Sequence, residues 1–100
     1  MVKVVITAPR GNMDRLITAE ACERSGIEIV GAVGAPGREY IGKDVGIAAG
    51  LGKEVGALVY DDIEAIIDRC DIVVDFSTVE LSMKVLESCI AHGKGFICGT

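Results

Sequence analysis

Short runs of Val and Ile alternate along this chain with segments whose apolar residues recur at helical spacing. That alternation limits the fold more than any other feature. Val2 to Thr7, Ile27 to Val33, Ala57 to Val59, Asp71 to Asp75 and Gly95 to Cys98 read as strands. Met13 to Arg24 carries Leu16, Ile17, Ala21 and Cys22 on a helical repeat that ends before Gly26. A second helix is predicted from Asp61, where Glu64 three residues on suggests a capping box and Ile63, Ile66 and Ile67 supply a buried face. A third follows Ser77 and Glu80, with Leu81, Val85, Leu86, Cys89 and Ile90 as its stripe and His92–Gly93 as its end. Strands joined through helices must run parallel, and right-handed crossovers then give an α/β, Rossmann-like, doubly wound sheet. Residues 1–100 make one such domain, with no internal repeat or boundary.

In that architecture ligands lie beyond the carboxyl ends of the strands, at the point where strand order reverses. The segments of interest are therefore 7–13, 33–38, 75–78 and 99–100. Residues 34–56 hold seven of the thirteen glycines and keep no regular pattern, as expected of a functional loop.

The balance of charge narrows the partners. A net charge of -5 without a basic stripe gives no footprint for nucleic acid. No apolar run approaches the ~20 residues of a membrane-spanning helix, and none resembles a cleavable leader, so a cytoplasmic location is expected. Cys22, Cys70, Cys89 and Cys98 show no C-x-x-C spacing and have one histidine between them, so no metal site is expected. They read as reduced, buried, small apolar residues. His92 reads as a helix-terminal residue serving the dipole and C-cap, Asp61 and Asp62 as caps, and Asp71 and Asp75 as strand-end residues, none of them forming a general acid–base pair.

The turn after the first strand is Thr7-Ala8-Pro9-Arg10-Gly11-Asn12-Met13-Asp14-Arg15. A dinucleotide site needs glycines there for a tight turn and for close approach of backbone N–H groups to a pyrophosphate, and only Gly11 is present. A plain strand–helix turn fits the same residues. The wider chain carries more. VVITAPRGNMDRLI, IEIVGAVG, YIGKDVG, DIVVDFS and HGKGFICGT, in this order over the whole chain, resemble the N-terminal domain of the dihydrodipicolinate reductase family. Its most specific pieces are Val74 to Ser77, Ile41 to Asp44 and His92 to Thr100.

The resemblance implies an NAD(P)-dependent oxidoreductase on the route to diaminopimelate and lysine. It implies that Ala8, Pro9, Arg10, Gly11, Asn12 and Met13 form the phosphate-facing turn, with Gly11 and Met13 matching the family's glycine–x–methionine. Phe76 and Ser77 would line the nicotinamide side, and Gly99 and Thr100 would begin a loop touching cofactor and substrate. The family's catalytic His-His-x-x-Lys segment belongs to a C-terminal domain not found in these residues. No catalytic residue is therefore assigned here, and the parent protein is expected to be a homo-oligomer. A stand-alone nucleotide-binding or interaction module of the same fold is the alternative. A receiver-like phosphoacceptor would need acids at the end of the first strand, where Ile6-Thr7-Ala8 supplies none.

Three departures from the family pattern bear on binding. Ala8 stands for the first motif glycine. Gly34 stands where NAD-binding folds carry an acid for the adenosine ribose; with Arg38 close by, this favours NADP over NAD. Asp14 replaces the glycine after Met13, and an unscreened carboxylate roughly 6 Å from a pyrophosphate charge costs about 3 kcal/mol at an effective dielectric of about 20. The helix dipole returns only about 0.3–1 kcal/mol. Asp14→Gly is therefore expected to tighten cofactor binding by roughly tenfold or more, measured by calorimetric titration. A much smaller change would mean that Arg10 or Arg15 already neutralises the carboxylate.

Overall fold

The computed structural model describes residues 2–8, 12–24, 26–75 and 79–98; the side chains of residues 12–15, 22 and 79 fall outside that description. Five strands form one parallel sheet: β1 (Val2–Thr7), β2 (Ile27–Val33), β3 (Val59–Tyr60), β4 (Ile72–Asp75) and β5 (Gly95–Cys98). Their order is β3-β2-β1-β4-β5, so the chain winds outward to β3 and then returns across β1 to β4. The expected doubly wound α/β class is the observed one. Helices α1 (Asn12–Glu23), α2 (Val45–Ala48) and α3 (Val79–His92) complete it, with two 3₁₀ turns, Ile63–Ala65 and Ile67–Arg69, between β3 and β4.

The side chains of the central strands divide into two cores. Val4 and Ile6 of β1 pack with Ile17 and Ala21 of α1 and with Tyr40, Val45 and Ala48. Val5 and Val73 pack with Ile66, Ile67, Val85 and Cys89, on the side covered by the 3₁₀ turns and α3. Val5, Ile6 and Val73 have no exposed surface, and each such side chain contributes about 1.5–3 kcal/mol relative to exposure. Strands buried on both sides need the near-continuous Val/Ile composition that made them legible.

One irregularity sets the phase of β2. Val4 pairs with Ile29 but Val5 pairs with Gly31, leaving Val30 as an extra residue in a bulge. Beyond it, Gly31 faces Ile66, whose side chain would collide with any Cβ there.

The helix expected from Asp61 is instead the pair of 3₁₀ turns, broken at Ile66 with φ -132° and ψ -10°. Asp62, not Asp61, caps the first turn, accepting from the Glu64 N–H at 3.0 Å. Glu64 does not reach back to close a capping box. Its carboxylate accepts from the Ser88 hydroxyl and lies 3.0 Å from His92 Nε2, which holds the segment against α3. The inward pull of Ile63, Ile66 and Ile67 and this cross-link oppose a regular helix.

Other boundaries also shift. β3 begins at Val59 rather than Ala57, and Asp71 precedes β4, its carboxylate accepting from the Lys3 N–H at 2.9 Å. On α1 Ile17, Thr18 and Ala21 turn inward, whereas Leu16 is 63% exposed; on α3, Leu81, Val85 and Cys89 face inward and Ile90 is 72% exposed. Cys70 and Cys89 are buried, as expected, but Cys98 is exposed because β5 is an edge strand. Burial pushes the Cys89 thiol up to about 11 and also raises Cys70. Neither is a nucleophile at neutral pH. No described helix is long and apolar enough to cross a membrane.

The glycine-rich stretch is more ordered than its composition suggests. Asp44 accepts from the N–H groups of Gly46, Val55 and Gly56 at 2.7–2.8 Å, closing residues 44–56 around the short α2. Partial burial opposes ionisation of Asp44, but the backbone donors outweigh it and hold its carboxyl below the ordinary value.

At the other end of the molecule, α3 closes in a Schellman turn. Gly93 has φ +67°, the Lys94 N–H donates to Cys89 O at 2.9 Å, and the Gly93 N–H donates to Ile90 O. His92 does more than terminate the helix: it bridges Glu64 and Asp68, at 3.0 and 3.2 Å. The hydrogen bond to Glu64 raises His92 above 6.5, with burial opposing and the charges of Glu64 and Asp68 assisting. The Ser88 hydroxyl, then His92, lowers Glu64 below 4.5. His92 therefore contributes stability below about 6.5 that is lost as pH rises through its raised value. Glu64 contributes stability above about 4.5 that is lost as pH falls through its lowered value. The melting-temperature difference between wild type and His92→Gln is expected to peak between about pH 5 and 6 and to shrink steadily above pH 7. A difference flat from pH 5 to 9 would remove the ionic link.

Candidate functional site

The reversal of strand order falls between β1 and β4, so the carboxyl ends of these strands mark where a ligand would lie. Val4, Val5 and Ile6 pair with Ile72, Val73 and Val74, which brings Thr7 beside Asp75 at the last step. The Thr7 hydroxyl donates to Asp75 Oδ1 at 2.5 Å, and neither residue has exposed surface. This buried hydrogen bond joins the two halves of the sheet directly under the switch point. Sequence reasoning placed Asp75 at a strand end without a task. The available signal was a carboxylate closing an otherwise apolar strand.

Ala8 follows with φ +48°, the left-handed region that favours glycine, and its N–H donates to Val33 O at 2.7 Å. Ala8 thus holds a backbone conformation that costs an L residue energy. α1 begins at Asn12 and Met13, four residues beyond, so its amino end stands next to the carboxyl end of β1. First-turn N–H groups and the helix dipole make such an end suited to phosphate. Of the other residues expected here, Pro9, Arg10, Gly11, Phe76, Ser77, Gly99 and Thr100 lie outside the described residues, as does the side chain of Asp14.

At the end of β2, Gly34 is buried and its N–H donates to Tyr60 O at 2.9 Å. A Cβ on Gly34 would stand 2.5 Å from the Tyr40 ring and 3.0 Å from its hydroxyl. Tyr40 carried no signal in the sequence; only the return of the loop onto β2 reveals it. Arg38 is exposed on the same loop.

Beside the ends of β2 and β3 runs a groove of about 190 Å³. Val33, Ala35, Pro36, Ile63 and Leu81 give it apolar walls, and Asp61, Asp62, Glu80 and Lys84 give it a polar rim. It is smaller than the ~300–1,000 Å³ of pockets that enclose a whole ligand, so it suits one flat portion of an extended molecule. Arg38 is not part of its lining. The expected site residues Ala8, Asn12, Met13 and Gly34 thus gather along the ends of β1 and β2, while the rim residues went unforeseen.

A parallel sheet reversing at β1, a helix amino end beside the carboxyl end of β1, and an apolar slot beside β2 together define a dinucleotide-binding α/β domain of Rossmann type. The chain belongs to the family described as dihydrodipicolinate reductase, N-terminus, whose model matches residues 2–100. It is 38% identical over its whole length to a 4-hydroxy-tetrahydrodipicolinate reductase of Citrifermentans bemidjiense, and covers 37% of that protein. Among solved structures it resembles a dipicolinate-bound dihydrodipicolinate reductase from a Paenisporosarcina species, with a TM-score of 0.77 at 20% identity over 100% of this chain and 37% of that one. It also resembles an aspartate semialdehyde dehydrogenase with NADP from Candida albicans, with a TM-score of 0.80 at 15% identity over 100% of this chain and 30% of that one. These two likenesses establish the fold. The chain spans about 37% of the length of the curated relatives it matches.

The strain at Ala8 yields a stability test. Relief of the left-handed backbone is worth about 1–2 kcal/mol, offset in part by about 0.5–1 kcal/mol of added freedom in the unfolded chain. Ala8→Gly is expected to raise the urea-unfolding free energy by about 0.5–1 kcal/mol. A loss of stability would mean that Ala8 is not strained.

Proposed function

We propose that residues 1–100 are the nicotinamide dinucleotide-binding part of a 4-hydroxy-tetrahydrodipicolinate reductase, with substrate binding and proton delivery supplied by a further domain. The observation that carries this reading is the family match over residues 2–100 in a chain spanning 37% of its relatives. The residues present suit the cofactor. Backbone N–H groups of Asn12 and Met13, with Arg10 and Gly11, would hold the pyrophosphate. The slot between β2 and α3 would take the adenine, its apolar walls covering the ring faces. Phe76 and Ser77 would border the nicotinamide, and Gly99 and Thr100 its reacting side. The bound cofactor would supply hydride.

NADP is the favoured form in this proposal, because Gly34 offers no carboxylate to a ribose and Arg38 is at hand for a 2′-phosphate. The groove rim opposes this in part, with Asp61, Asp62 and Glu80 against Lys84. A cytoplasmic location accords with the reduced, buried thiols of Cys70 and Cys89.

Among the described residues none is placed to donate a proton for the reduction. His92, its one histidine, ends α3 beside Glu64 and Asp68, at the amino-terminal edge of the parallel sheet and away from the proposed site. The expected outcome is cofactor binding without turnover. Titration with NADPH should move the amide resonances of Ala8, Asn12 and Met13, while cofactor oxidation with the cyclic substrate stays at background. Fusion to the C-terminal remainder of the Citrifermentans bemidjiense relative should restore oxidation. No amide shifts at millimolar cofactor, or turnover by this chain alone, would refute the reading.

A further inference from the structure

The buried Tyr40 ring lies over the one backbone position from which doubly wound folds usually read the adenosine ribose. Sites that select NAD carry an acidic side chain at the end of the second strand, accepting hydrogen bonds from the ribose hydroxyls and repelling a 2′-phosphate. Here that position is Gly34. The absence of a side chain is not a neutral replacement: a Cβ would meet Tyr40 Cε1 at 2.5 Å, its hydroxyl oxygen at 3.0 Å and Cζ at 3.1 Å. Real Cβ atoms do not approach carbon at 2.5 Å, so either Tyr40 or the strand end would have to move.

Neither moves easily. Tyr40 is only 8% exposed and packs in the same core as Ala32, Val45, Ala48 and Val59. Its flanks are tied down as well: the Gly42 N–H donates to Val59 O at 2.8 Å and the Lys43 N–H donates to Tyr40 O at 3.1 Å. The strand end is held by the bond from Gly34 N–H to Tyr60 O and by that from Ala8 N–H to Val33 O. Asp44, four residues past Tyr40, anchors the loop through its bonds to Gly46, Val55 and Gly56.

We propose that Tyr40 enforces glycine at position 34: by filling the space over Gly34 it bars a ribose-reading carboxylate from β2 and so leaves the site open to the 2′-phosphorylated cofactor. The inference rests on the reading of the chain as a nicotinamide dinucleotide-binding domain. Tyr40 acts by exclusion and touches no reacting atom. Its distal ring atoms, Cε1, Cζ and the hydroxyl, are the ones that meet the missing Cβ. Leucine at position 40 lacks all three but keeps much of the buried volume, which supplies a selective test.

The experiment measures dissociation constants for NADPH and NADH, with melting temperatures, in wild type, Gly34→Asp, Tyr40→Leu and Gly34→Asp/Tyr40→Leu. Wild type should bind NADPH at least as tightly as NADH. Gly34→Asp alone should lower the melting temperature by at least about 5 °C, because the new side chain enters an occupied space. Tyr40→Leu alone opens the space but adds no carboxylate, so the ratio of the two constants should stay within about threefold of wild type. The double variant should shift that ratio toward NADH by at least about tenfold and recover part of the stability lost by Gly34→Asp. Wild type preferring NADH by more than tenfold would overturn the inference. So would Gly34→Asp that melts like wild type, or a double variant with an unchanged ratio. Binding of neither cofactor to wild type would overturn the underlying functional reading as well, which separates the two failures.

Discussion

The extra residue in β2 governs more of this molecule than its size suggests. Because Val30 has no partner on β1, every residue after it changes the face it would otherwise occupy. Gly31 then meets Ile66, Ala32 joins the core under α1, Val33 joins the core under α3, and Gly34 comes to rest beneath Tyr40. Both glycines are positions where another chain segment has taken the place of a side chain. The packing on the two sides of the sheet and the environment at the proposed cofactor end therefore depend on one register shift in the strand beside the central one.

Two clamps keep the less regular segments in place around that frame. On one side Asp44 gathers three backbone donors and gives the glycine-rich loop a fixed course, which lets Tyr40 return to the end of β2. On the other, Glu64 and Asp68 meet His92, and Glu64 also meets Ser88, joining the 3₁₀ turns to the end of α3. The first clamp lies beside β2 and β3, with Val55 reaching the start of β2 at Ile27 to Ile29. The second lies at the amino-terminal edge of the sheet, so the pH dependence expected from His92 is one of stability rather than of binding. Between them the Thr7–Asp75 bond fixes β1 to β4 at the switch point.

The sequence made the strands legible because strands buried on both sides must be continuous and β-branched. β2, β5 and the carboxyl end of α3 fell where composition and Gly93 placed them. It misled where local signals competed with contacts made far along the chain. Asp61 and Glu64 look like a capping box, yet Glu64 is drawn to Ser88 and His92, 24 and 28 residues away. Cys98 and Ile90 look like core residues, but one lies on an edge strand and the other on the outer side of α3.

The sequence by itself determined the class of fold and the family, since alternating apolar periods and several short motifs in a fixed order survive without knowledge of any contact. It also singled out the turn after the first strand for attention, because such a turn follows from strand order alone. Only the tertiary structure decided what stands at the end of β2. Whether a missing side chain is an open space or a filled one depends on where a loop returns, and that is set by the bulge at Val30 and the anchor at Asp44 rather than by the residues next to Gly34.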